Sequence, residues 1–458
     1  MRSFLRVVWA ATMTIFAISL SPSDGVAQAP PKRGEGKMVI PESSIVPPQD
    51  QALRAHTNVK LFVPADIPPG RVGPQGKVSA QGGPPFPGFL FNTPASVACA
   101  YRLVPVAAGC NPNIVTRNPT GGSNAIAVVD AFDTPAAASD LSTFVNQFAL
   151  PPANVQVIYA GTGSCTPGGA APPSSAGTGW DVETALDLQW AHAMAPFAKL
   201  YLVEANSESL TDLLAAEAVA TKCIQANAAG QVSNSWGFLE FSGETAFDSS
   251  FTAPNVMYLA AAGDNQVVLY PAASPNVISV GGTSFSFGGS LPGNAPVFQG
   301  EIPWNSADAN VGTGGGPSTF EARPAYQNSI TSIVETSRGT PDLGAIADPI
   351  TGVWIFSTST CGGWCFAGGT SASTPIMAGI LNASGFFARS SFAALTSIYS
   401  PSYHAVNTTP IDTGACGVAN EFNPLYMEGV TQLSWNWCTG WGTPRGRYPA
   451  QDTQTANQ

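Results

Sequence analysis

The sequence predicts an α/β protein with a predominantly parallel central sheet and helices on both faces of that sheet. The run AIAVVDAF at residues 125–132 is apolar almost throughout, as expected of a strand that is buried on both sides. From there to residue 282, short apolar runs alternate with stretches of helical length. Alternation of this kind implies crossover connections, which join parallel strands and place helices on both sides of a sheet.

The elements follow in chain order from their apolar periodicity and their flanking turn residues. Strands are predicted for AIAVVDAF, VQVIYA, AKLYLVEA, VSNSW, VMYLAAAG and NVISVGG. Helices are predicted for the stretch from Thr134-Pro135 to Phe148, for DVETALDLQWAHAM, for SLTDLLAAEAVATKCIQA, and for a final segment from about Ser371 to Phe387. No internal repeat and no clean break interrupts the chain between Cys99 and Pro444, which predicts one domain.

The composition excludes several classes of protein. Hydrophobic residues make up 44% of the 458 residues, which is enough to build a core and rules out wholesale disorder. The 47 glycines and 40 prolines follow no three-residue period, which indicates a loop-rich globular protein rather than collagen. A net charge of -11 argues against a nucleic-acid partner, because phosphate neutralisation requires an excess of Lys and Arg. The same acidic balance is consistent with an acid habitat.

The N-terminus has the three parts of a secretory signal peptide. Arg2 and Arg6 precede an apolar run over residues 7–20, and small residues follow up to a predicted cleavage near Ala27. A retained membrane anchor is the alternative, but the apolar run is short for a span and no later segment is long enough. We therefore expect residues 1–27 to be removed and the protein to be secreted, either extracellular or periplasmic, with no membrane contact afterwards.

Three further segments are predicted after the signal peptide. Residues 28–98 are rich in Pro, Gly and Gln and form an extended N-terminal arm, which we expect to contact the body of the protein through residues 61–64. Residues 99–446 form the main domain, and residues 447–458 form a polar C-terminal tail.

Eight cysteines in an exported chain indicate disulfide bonds. Many pairings are possible, and proximity in the sequence selects among them only as a hypothesis. The pairs that proximity favours are Cys99–Cys110, Cys361–Cys365 and Cys416–Cys438, which leaves Cys165–Cys223. None of these pairs has metal-ligand spacing beside a histidine, so a zinc site is not expected.

The segment GGTSASTP places Ser371 where a glycine-rich loop turns into a helix. At such a position the helix N-terminus offers free N–H groups to a developing oxyanion while the hydroxyl attacks. A plain capped helix is the alternative interpretation, because serine and threonine are favoured helix caps. The proline in the first helical turn makes this segment more specific than an ordinary Gly-Ser turn.

A nucleophilic serine requires a base, and the three histidines of the chain are His56, His192 and His404. His192 lies on the predicted helix that also carries Glu183 and Asp187. At about 100° per residue, the two carboxylates share one face of this helix, whereas His192 points to the opposite face. His192 is therefore predicted to be a packed structural residue and not the base.

Glu183 and Asp187 lie one turn apart on a helix that is otherwise largely apolar. A mildly repulsive pair on a solvated surface is the alternative. Buried together, the two carboxyl groups would share a proton and accept one from serine in acid, where an imidazole is already charged. Asp264, in AAAGDNQ after a predicted strand, is either a turn residue or, as a neutral acid facing Ser371, an oxyanion donor.

Together these segments resemble the sedolisin family of serine-carboxyl peptidases, which share the subtilisin architecture and work in acid. The resemblance rests on WDVETALDLQWAHAMAP with Glu183 and Asp187, VSNSWG with Trp236, AAAGDNQ with Asp264, and GGTSASTPIMAG with Ser371. It covers most of residues 99–445, with further family-like segments in the expected order. It implies that Ser371 is the nucleophile, Glu183 its general base, Asp187 the partner that holds Glu183, and Asp264 the oxyanion donor.

Three departures from the family pattern are visible. Asp264 is followed by Asn265-Gln266 instead of Ser-Gly, and the arm stands where relatives carry a long folded propeptide, so self-processing in the family's manner is not expected. The C-terminal calcium ligands of the family are also altered: Asn436 and Ala405 stand in place of two aspartates, and Ser434 and Gln432 in place of glycines. Calcium binds about six to eight oxygens, so we expect no calcium site and no other cofactor, with Cys416–Cys438 fastening this region instead.

The leading prediction is a secreted, monomeric serine endopeptidase that hydrolyses polypeptides in acid through an acyl-enzyme on Ser371. The alternative is a secreted binding or surface protein on a catalytically weak or inactive peptidase scaffold, which the short arm and the altered calcium segment favour. A neutral subtilisin-like enzyme that uses Asp130 and His192 is a third possibility, and the helix geometry argues against it.

Overall fold

The computed structural model describes residues 36–47, 50, 53–64, 84, 89–289, 295–306, 311–411 and 435–446. The side chains of residues 404–406 also lie outside this description. The predicted signal peptide at 1–27 and the predicted tail at 447–458 therefore fall outside the described residues, as does Cys416 of the predicted Cys416–Cys438 pair.

The secondary structure of the described residues alternates strands and helices through the main domain. The strands are β1 (Gly36–Val39), β2 (His56–Thr57), β3 (Lys60–Pro64), β4 (Ala125–Ala131), β5 (Asn154–Tyr159), β6 (Lys199–Ala205), β7 (Gly230–Asn234), β8 (Trp236–Leu239), β9 (Val256–Ala261), β10 (Leu269–Tyr270), β11 (Ile278–Gly288), β12 (Val297–Pro303), β13 (Asn305–Ser306), β14 (Val311–Gly312), β15 (Gly316–Ala322), β16 (Ser337–Thr340), β17 (Leu343–Ile346), β18 (Val353–Ser357), β19 (Gly363–Gly368), β20 (Thr408–Thr409) and β21 (Thr443–Pro444). The helices are α1 (Pro94–Ala100), α2 (Ala137–Gln147), α3 (Trp180–Met194), α4 (Leu210–Gln225), α5 (Thr331–Val334), α6 (Thr370–Ala383), α7 (Ser391–Ile398) and α8 (Pro401–Asn407).

The largest sheet has the strand order β12-β11-β9-β7-β4-β6-β5, and β17 pairs with β11. All of the pairings within it are parallel except that of β12 with β11, which is antiparallel. Parallel neighbours require crossover connections, and the helices between the strands supply them. The predicted α/β class with a predominantly parallel sheet is confirmed.

The side chains of β4 alternate between two hydrophobic cores, one on each face of this sheet. Ile126 and Val128 pack in the core that contains α2, α3 and α6, whereas Ala127 and Val129 pack in the core that contains α4. Because alternate residues of a strand share a face, Asp130 points to the side of α3 and α6. The fold thus places a carboxyl group at the end of β4 beneath two buried helices.

The N-terminal arm contributes strands to two smaller sheets. One has the order β1-β3-β19-β18 and the other has the order β10-β8-β2. Leu61 and Phe62 of β3 are buried, in agreement with the predicted contact through residues 61–64. Both strands of the main domain that receive the arm, β8 and β19, border the start of α6.

The predicted disulfides Cys99–Cys110, Cys165–Cys223 and Cys361–Cys365 are all present and are confirmed. The prediction of a final helix up to Phe387 is wrong, because α6 ends at Ala383 and two further helices follow it. Gly385, with a φ of 73°, adopts the left-handed conformation that terminates helices. None of the helices in the described part of the chain combines the length and the apolar character that a membrane crossing requires.

Candidate active site

The carboxyl ends of several strands and the first turns of two helices meet at one edge of the large sheet. Asp130, Ser235 and Asp264 lie at this edge, at or just after the carboxyl ends of β4, β7 and β9. α3 and α6 pack against each other, and their first turns bring Glu183 and Ser371 to the same place. The carboxyl edge of a parallel sheet is where sites form in α/β folds, because the loops that follow the strands gather there.

Glu183 and Asp187 share one face of α3, a helix in which every residue is buried. Oδ1 of Asp187 accepts a hydrogen bond from the hydroxyl of Ser235 at 2.7 Å. Burial raises the pKa of both carboxyl groups well above the usual range, and the neighbouring charge of Asp130 raises it further. The alternative of a solvated surface pair is therefore wrong.

Asp130 adds a third carboxyl group to this pair. Its side chain is fully buried, and neither of its oxygens has a hydrogen-bond partner among the residues described. Burial raises the pKa of Asp130 to about 7, against an opposing effect of the Thr184 hydroxyl. Asp130, Glu183 and Asp187 form what we call the carboxyl cluster, and because three buried charges this close repel strongly, the cluster holds protons in common.

Ser371 is the second residue of α6 and is fully buried. Its hydroxyl donates to the carbonyl oxygen of Ser235 at 3.1 Å and accepts from the backbone N–H of Asn58 at 3.0 Å. Within the described part of the chain neither oxygen of Glu183 has a hydrogen-bond partner, although the nearby Ser371 hydroxyl lowers the Glu183 pKa. The hydroxyl thus lies close enough to Glu183 to affect its pKa, while it donates to Ser235.

Asp264 is held on the other side of the α6 N-terminus. Its Oδ1 accepts from the backbone N–H and from the hydroxyl of Thr370, both at 2.8 Å. Its Oδ2 lies 2.9 Å from the Nζ of Lys60. Gly369 has a φ of 91°, and a Cβ there would lie 2.6 Å from Oδ2 of Asp264, so glycine permits this close approach. The carboxyl group therefore lies at the start of the helix, beside backbone N–H groups that have no partner within the helix.

Comparisons with known proteins find similarity to peptidases. The model of the Subtilase family matches residues 158–383. Sedolisin from Pseudomonas sp. (strain 101) is 26% identical over 364 residues, which are 71% of this chain and 57% of that protein. Kumamolisin from Bacillus sp. (strain MN-32) is 32% identical over 233 residues, which are 46% of this chain and 40% of that protein. These matches support membership of this chain in the sedolisin family.

The solved structures show the same fold. Pseudomonas sedolisin, described as a serine-carboxyl proteinase complexed with two molecules of pseudo-iodotyrostatin, aligns with a TM-score of 0.56 at 22% sequence identity. The alignment covers 78% of this chain and 95% of the sedolisin chain. The fold is therefore subtilisin-like, as the resemblance implied. This chain spans only about half the length of the curated sedolisin relatives it matches, 57% and 40% of the two named above.

Within the described residues, the hydroxyl of Ser371 has no hydrogen bond to His56 or to His192. Nε2 of His192 is 2.8 Å from the carbonyl oxygen of Pro151, and burial lowers the pKa of this imidazole. His56 belongs to the arm and lies 3.5 Å from the carboxylate of Asp50. The side chain of His404 is outside the described residues. The prediction that His192 is a packed structural residue is confirmed, which removes the support for a neutral His-based site.

Several residues of the site were not identified from the sequence. Ser235 contributes both its hydroxyl and its carbonyl oxygen, although the sequence analysis used only its neighbour Trp236. Asp130 was considered only as a partner of His192, although its position at the end of a buried parallel strand is a usable signal. Lys60 carried no such signal, because its partner Asp264 is 204 residues away in the chain.

The altered calcium segment of this sedolisin relative is only partly described. Asn436 uses its side chain to hold a turn: Oδ1 accepts from the N–H groups of Cys438 and Thr439 at 2.9 Å, and Nδ2 donates to the carbonyl oxygen of Ile411 at 3.1 Å. Gln432, Ser434 and the side chain of Ala405 fall outside the described residues. The absence of a calcium site stays a prediction.

Proposed function

We propose that this chain is a secreted serine-carboxyl endopeptidase that hydrolyses peptide bonds of polypeptides in acid. The observation that carries the proposal is the buried carboxyl cluster beside the hydroxyl of Ser371. In this proposal Ser371 is the nucleophile, Glu183 accepts its proton, and Asp187 holds Glu183 in place. Asp264 donates a hydrogen bond to the oxyanion of the tetrahedral intermediate.

A carboxyl base suits acid for a simple reason. An imidazole is already protonated there, whereas a carboxyl cluster with raised pKa values can keep one shared negative charge while its other members hold protons. Burial is the main cause of the raised pKa of Glu183. The proton affinity of Glu183 is therefore closer to that of the serine hydroxyl than the proton affinity of an exposed glutamate is. This smaller difference favours proton transfer.

The oxyanion site also favours acid. The N–H of Ser371 lies at the start of α6, where backbone N–H groups have no partner within the helix. An aspartic acid adds a second donor only while it keeps its proton, which an asparagine would not need.

The test is hydrolysis of a denatured protein at about pH 3–5 by the wild-type chain and by Ser371→Ala. We expect Ser371→Ala to lose at least about 10³-fold in rate. Ser373→Ala is the matched control, because Ser373 lies on the same helix and only donates to the carbonyl oxygen of Thr370 at 2.9 Å. Equal rates for wild type and Ser371→Ala would contradict the proposal.

A second candidate is a secreted binding protein on an inactive scaffold. It is favoured by the position of the arm. The backbone N–H of Asn58 donates to the Ser371 hydroxyl, and Lys60 forms an ion pair with Asp264. A peptide-aldehyde probe at acid pH separates the two candidates, because an active nucleophile forms a hemiacetal with it. Labelling that disappears in Ser371→Ala supports the peptidase, and absence of labelling after prolonged acid incubation supports the scaffold.

A further inference from the structure

A second group of carboxyl side chains lies where β8 ends. We call Glu240, Glu244, Asp248 and Glu321 the outer carboxyl cluster. Glu240 follows β8, Glu244 and Asp248 lie on the 3₁₀-helix Glu244–Phe251, and Glu321 lies on β15. The 3₁₀-helix packs against β15. The cluster therefore lies between the end of β8, the 3₁₀-helix and a strand that follows much later in the chain.

Glu240 connects the end of β8 to β15 through hydrogen bonds. Its Oε1 accepts from the hydroxyl of Ser318, and its Oε2 accepts from the backbone N–H of Thr319 at 3.1 Å. The carboxyl group of Glu244 lies within hydrogen-bonding reach of Glu240. Oε2 of Glu244 also accepts from the backbone N–H of Phe241 at 2.8 Å. The first pair of acids thus joins β8, the start of the 3₁₀-helix and β15.

Asp248 and Glu321 form a second pair between the 3₁₀-helix and β15. Their carboxyl groups lie within hydrogen-bonding reach of each other. Oδ1 of Asp248 also accepts from the hydroxyl of Tyr270 at 3.3 Å. The two elements are therefore held together by contacts between acids.

The cluster is buried and lacks a neutralising cation. Glu244 is 0% exposed and Glu321 is 5% exposed. Among the residues described, Oε1 of each has no hydrogen-bond partner. None of the ion pairs in the same part of the chain includes one of the four acids. Two carboxyl groups can form a hydrogen bond with each other only while one of them keeps its proton, and two buried carboxylates repel.

The other titratable groups beside the cluster do not replace those protons. Burial raises the pKa of Glu321, and the positive charge of Arg338 opposes this, but Arg338 is paired with Asp342 at 2.6 Å. Burial also raises the pKa of Tyr270 and of Tyr326, so both hydroxyl groups stay neutral. The charge at this place therefore depends on the carboxyl groups themselves.

We propose that the outer carboxyl cluster is a pH-sensitive latch, which holds the 3₁₀-helix and the end of β8 against β15 in acid and releases them when its carboxyl groups ionise. The inference concerns local structure and does not rest on the proposed function.

The direction of the pH effect follows from burial. Burial raises the pKa of Glu244 and of Glu321 to about 8, above the values of these groups in the unfolded chain. The latched state therefore binds protons more tightly than the released state. Its stabilisation is complete below about pH 4.5 and is lost as the pH rises toward 8.

The latched elements lead directly to the candidate active site. β8 begins immediately after Ser235, whose carbonyl oxygen accepts from the hydroxyl of Ser371. β15 begins shortly after Gly314, whose N–H donates to the carbonyl oxygen of Gly263 at 2.6 Å, and Asp264 follows Gly263. Release of the latch would therefore loosen the far ends of two segments that position Ser235 and Asp264.

The test measures hydrogen–deuterium exchange by mass spectrometry at pH 5 and pH 8, with rates corrected for their intrinsic dependence on pH. All samples carry Ser371→Ala, so that hydrolysis by the chain itself cannot disturb the measurement. We expect peptides that cover residues 240–251 and 316–322 to exchange at least about tenfold faster at pH 8 than at pH 5. A peptide that covers α2 reports on unfolding of the fold as a whole and should show a smaller increase.

The double variant Glu244→Gln/Glu321→Gln tests the cause. Glutamine keeps the size of the side chain and can donate to the partner carboxylate at any pH, so the exchange of both peptides at pH 8 should approach the rate at pH 5. Glu335→Gln, at an exposed position, is the matched control and should keep the full increase.

Three results would overturn the inference. They are no increase between pH 5 and pH 8 in the chain without these substitutions, an equal increase in the α2 peptide, and the same increase in Glu244→Gln/Glu321→Gln as in Glu335→Gln. The first two need no change to the cluster, so they decide the matter even where the double variant does not fold.

Discussion

Two regions of this protein bury carboxyl groups in different ways. In the carboxyl cluster, Glu183, Asp187 and Asp130 lie together and the pKa of each is raised by burial. Elsewhere in the fold, Asp342 is equally buried, but Arg338 lies 2.6 Å from it and both side chains are 0% exposed. In one region burial raises the pKa of the acids, and in the other region the acid is paired with a cation.

The hydrogen bonds show what each arrangement is for. Both oxygens of Asp342 are saturated: Oδ1 accepts from Arg338 and from the hydroxyl of Tyr399, and Oδ2 accepts from Arg338 and from the N–H of Ser279. In the part of the chain described, both oxygens of Glu183 lack such partners. A saturated acid stabilises a structure, whereas an unsaturated acid keeps lone pairs and protons available for chemistry.

The largest expected effect is on activity, from Glu183→Gln. An amide cannot accept the serine proton, so we expect the rate of hydrolysis of a denatured protein at acid pH to fall by about 10³-fold or more. The melting temperature should stay the same or rise, because the change removes a buried ionisable group from a site without a cation in direct contact. Activity is measured by product formation, and stability by thermal unfolding.

Glu217→Gln is the matched control for this variant, because Glu217 is another fully buried glutamate, on α4 at the opposite face of the sheet. Its activity should equal that of the wild type. A Glu183→Gln variant that retains even a tenth of the wild-type rate would show that the carboxyl cluster is not the base.

The next largest effect is on stability, from Arg338→Met. This change leaves Asp342 buried without its cation, which costs about 3–5 kcal/mol in the free energy of unfolding. The double variant Arg338→Met/Asp342→Leu should recover much of the loss, because both charges are then removed together. Urea unfolding measures both. A loss below about 1 kcal/mol in the single variant would mean that pairing is not what keeps Asp342 buried.

A smaller effect is the dependence of stability on pH. Burial raises the pKa of Glu217 to about 8, above its value in the unfolded chain. The folded state therefore binds the proton more tightly, so this contribution is complete below about pH 4.5 and is lost as the pH rises toward 8. Glu217→Gln should reduce the loss of unfolding free energy between pH 5 and pH 8 by about 2 kcal/mol.

Unfolding at a series of pH values measures this slope, and Glu335→Gln, at an exposed position, should leave it unchanged. A slope in Glu217→Gln that equals the wild-type slope would show that Glu217 keeps an ordinary proton affinity in the fold.

The contrast between the two regions also explains what the sequence could reveal. Glu183 and Asp187 were predictable as a pair, because helical periodicity places residues four apart on one face. Their burial followed from the apolar residues around them. The contacts of Asn58 and Lys60 were not predictable, because they depend on where an irregular arm docks and no local pattern encodes that. The final-helix prediction failed similarly, since Gly385 ends α6 before the apolar pattern does.

Asp264 shares a feature with each of the two regions, and the variant Asp264→Asn tests which feature matters for activity. Asp264 is paired with Lys60, as Asp342 is paired with Arg338, whereas its proposed catalytic role requires it to donate a hydrogen bond. An amide donates at any pH, so we expect only about a tenfold loss of the maximal rate and an activity limit shifted toward neutral pH. The rate is measured against pH on a denatured protein, with Asp264→Ala as the comparison, which should lose about 10²-fold or more at every pH. If Asp264→Asn and Asp264→Ala lose the same activity with the same pH profile, Asp264 does not donate to the oxyanion and its role is the pairing with Lys60.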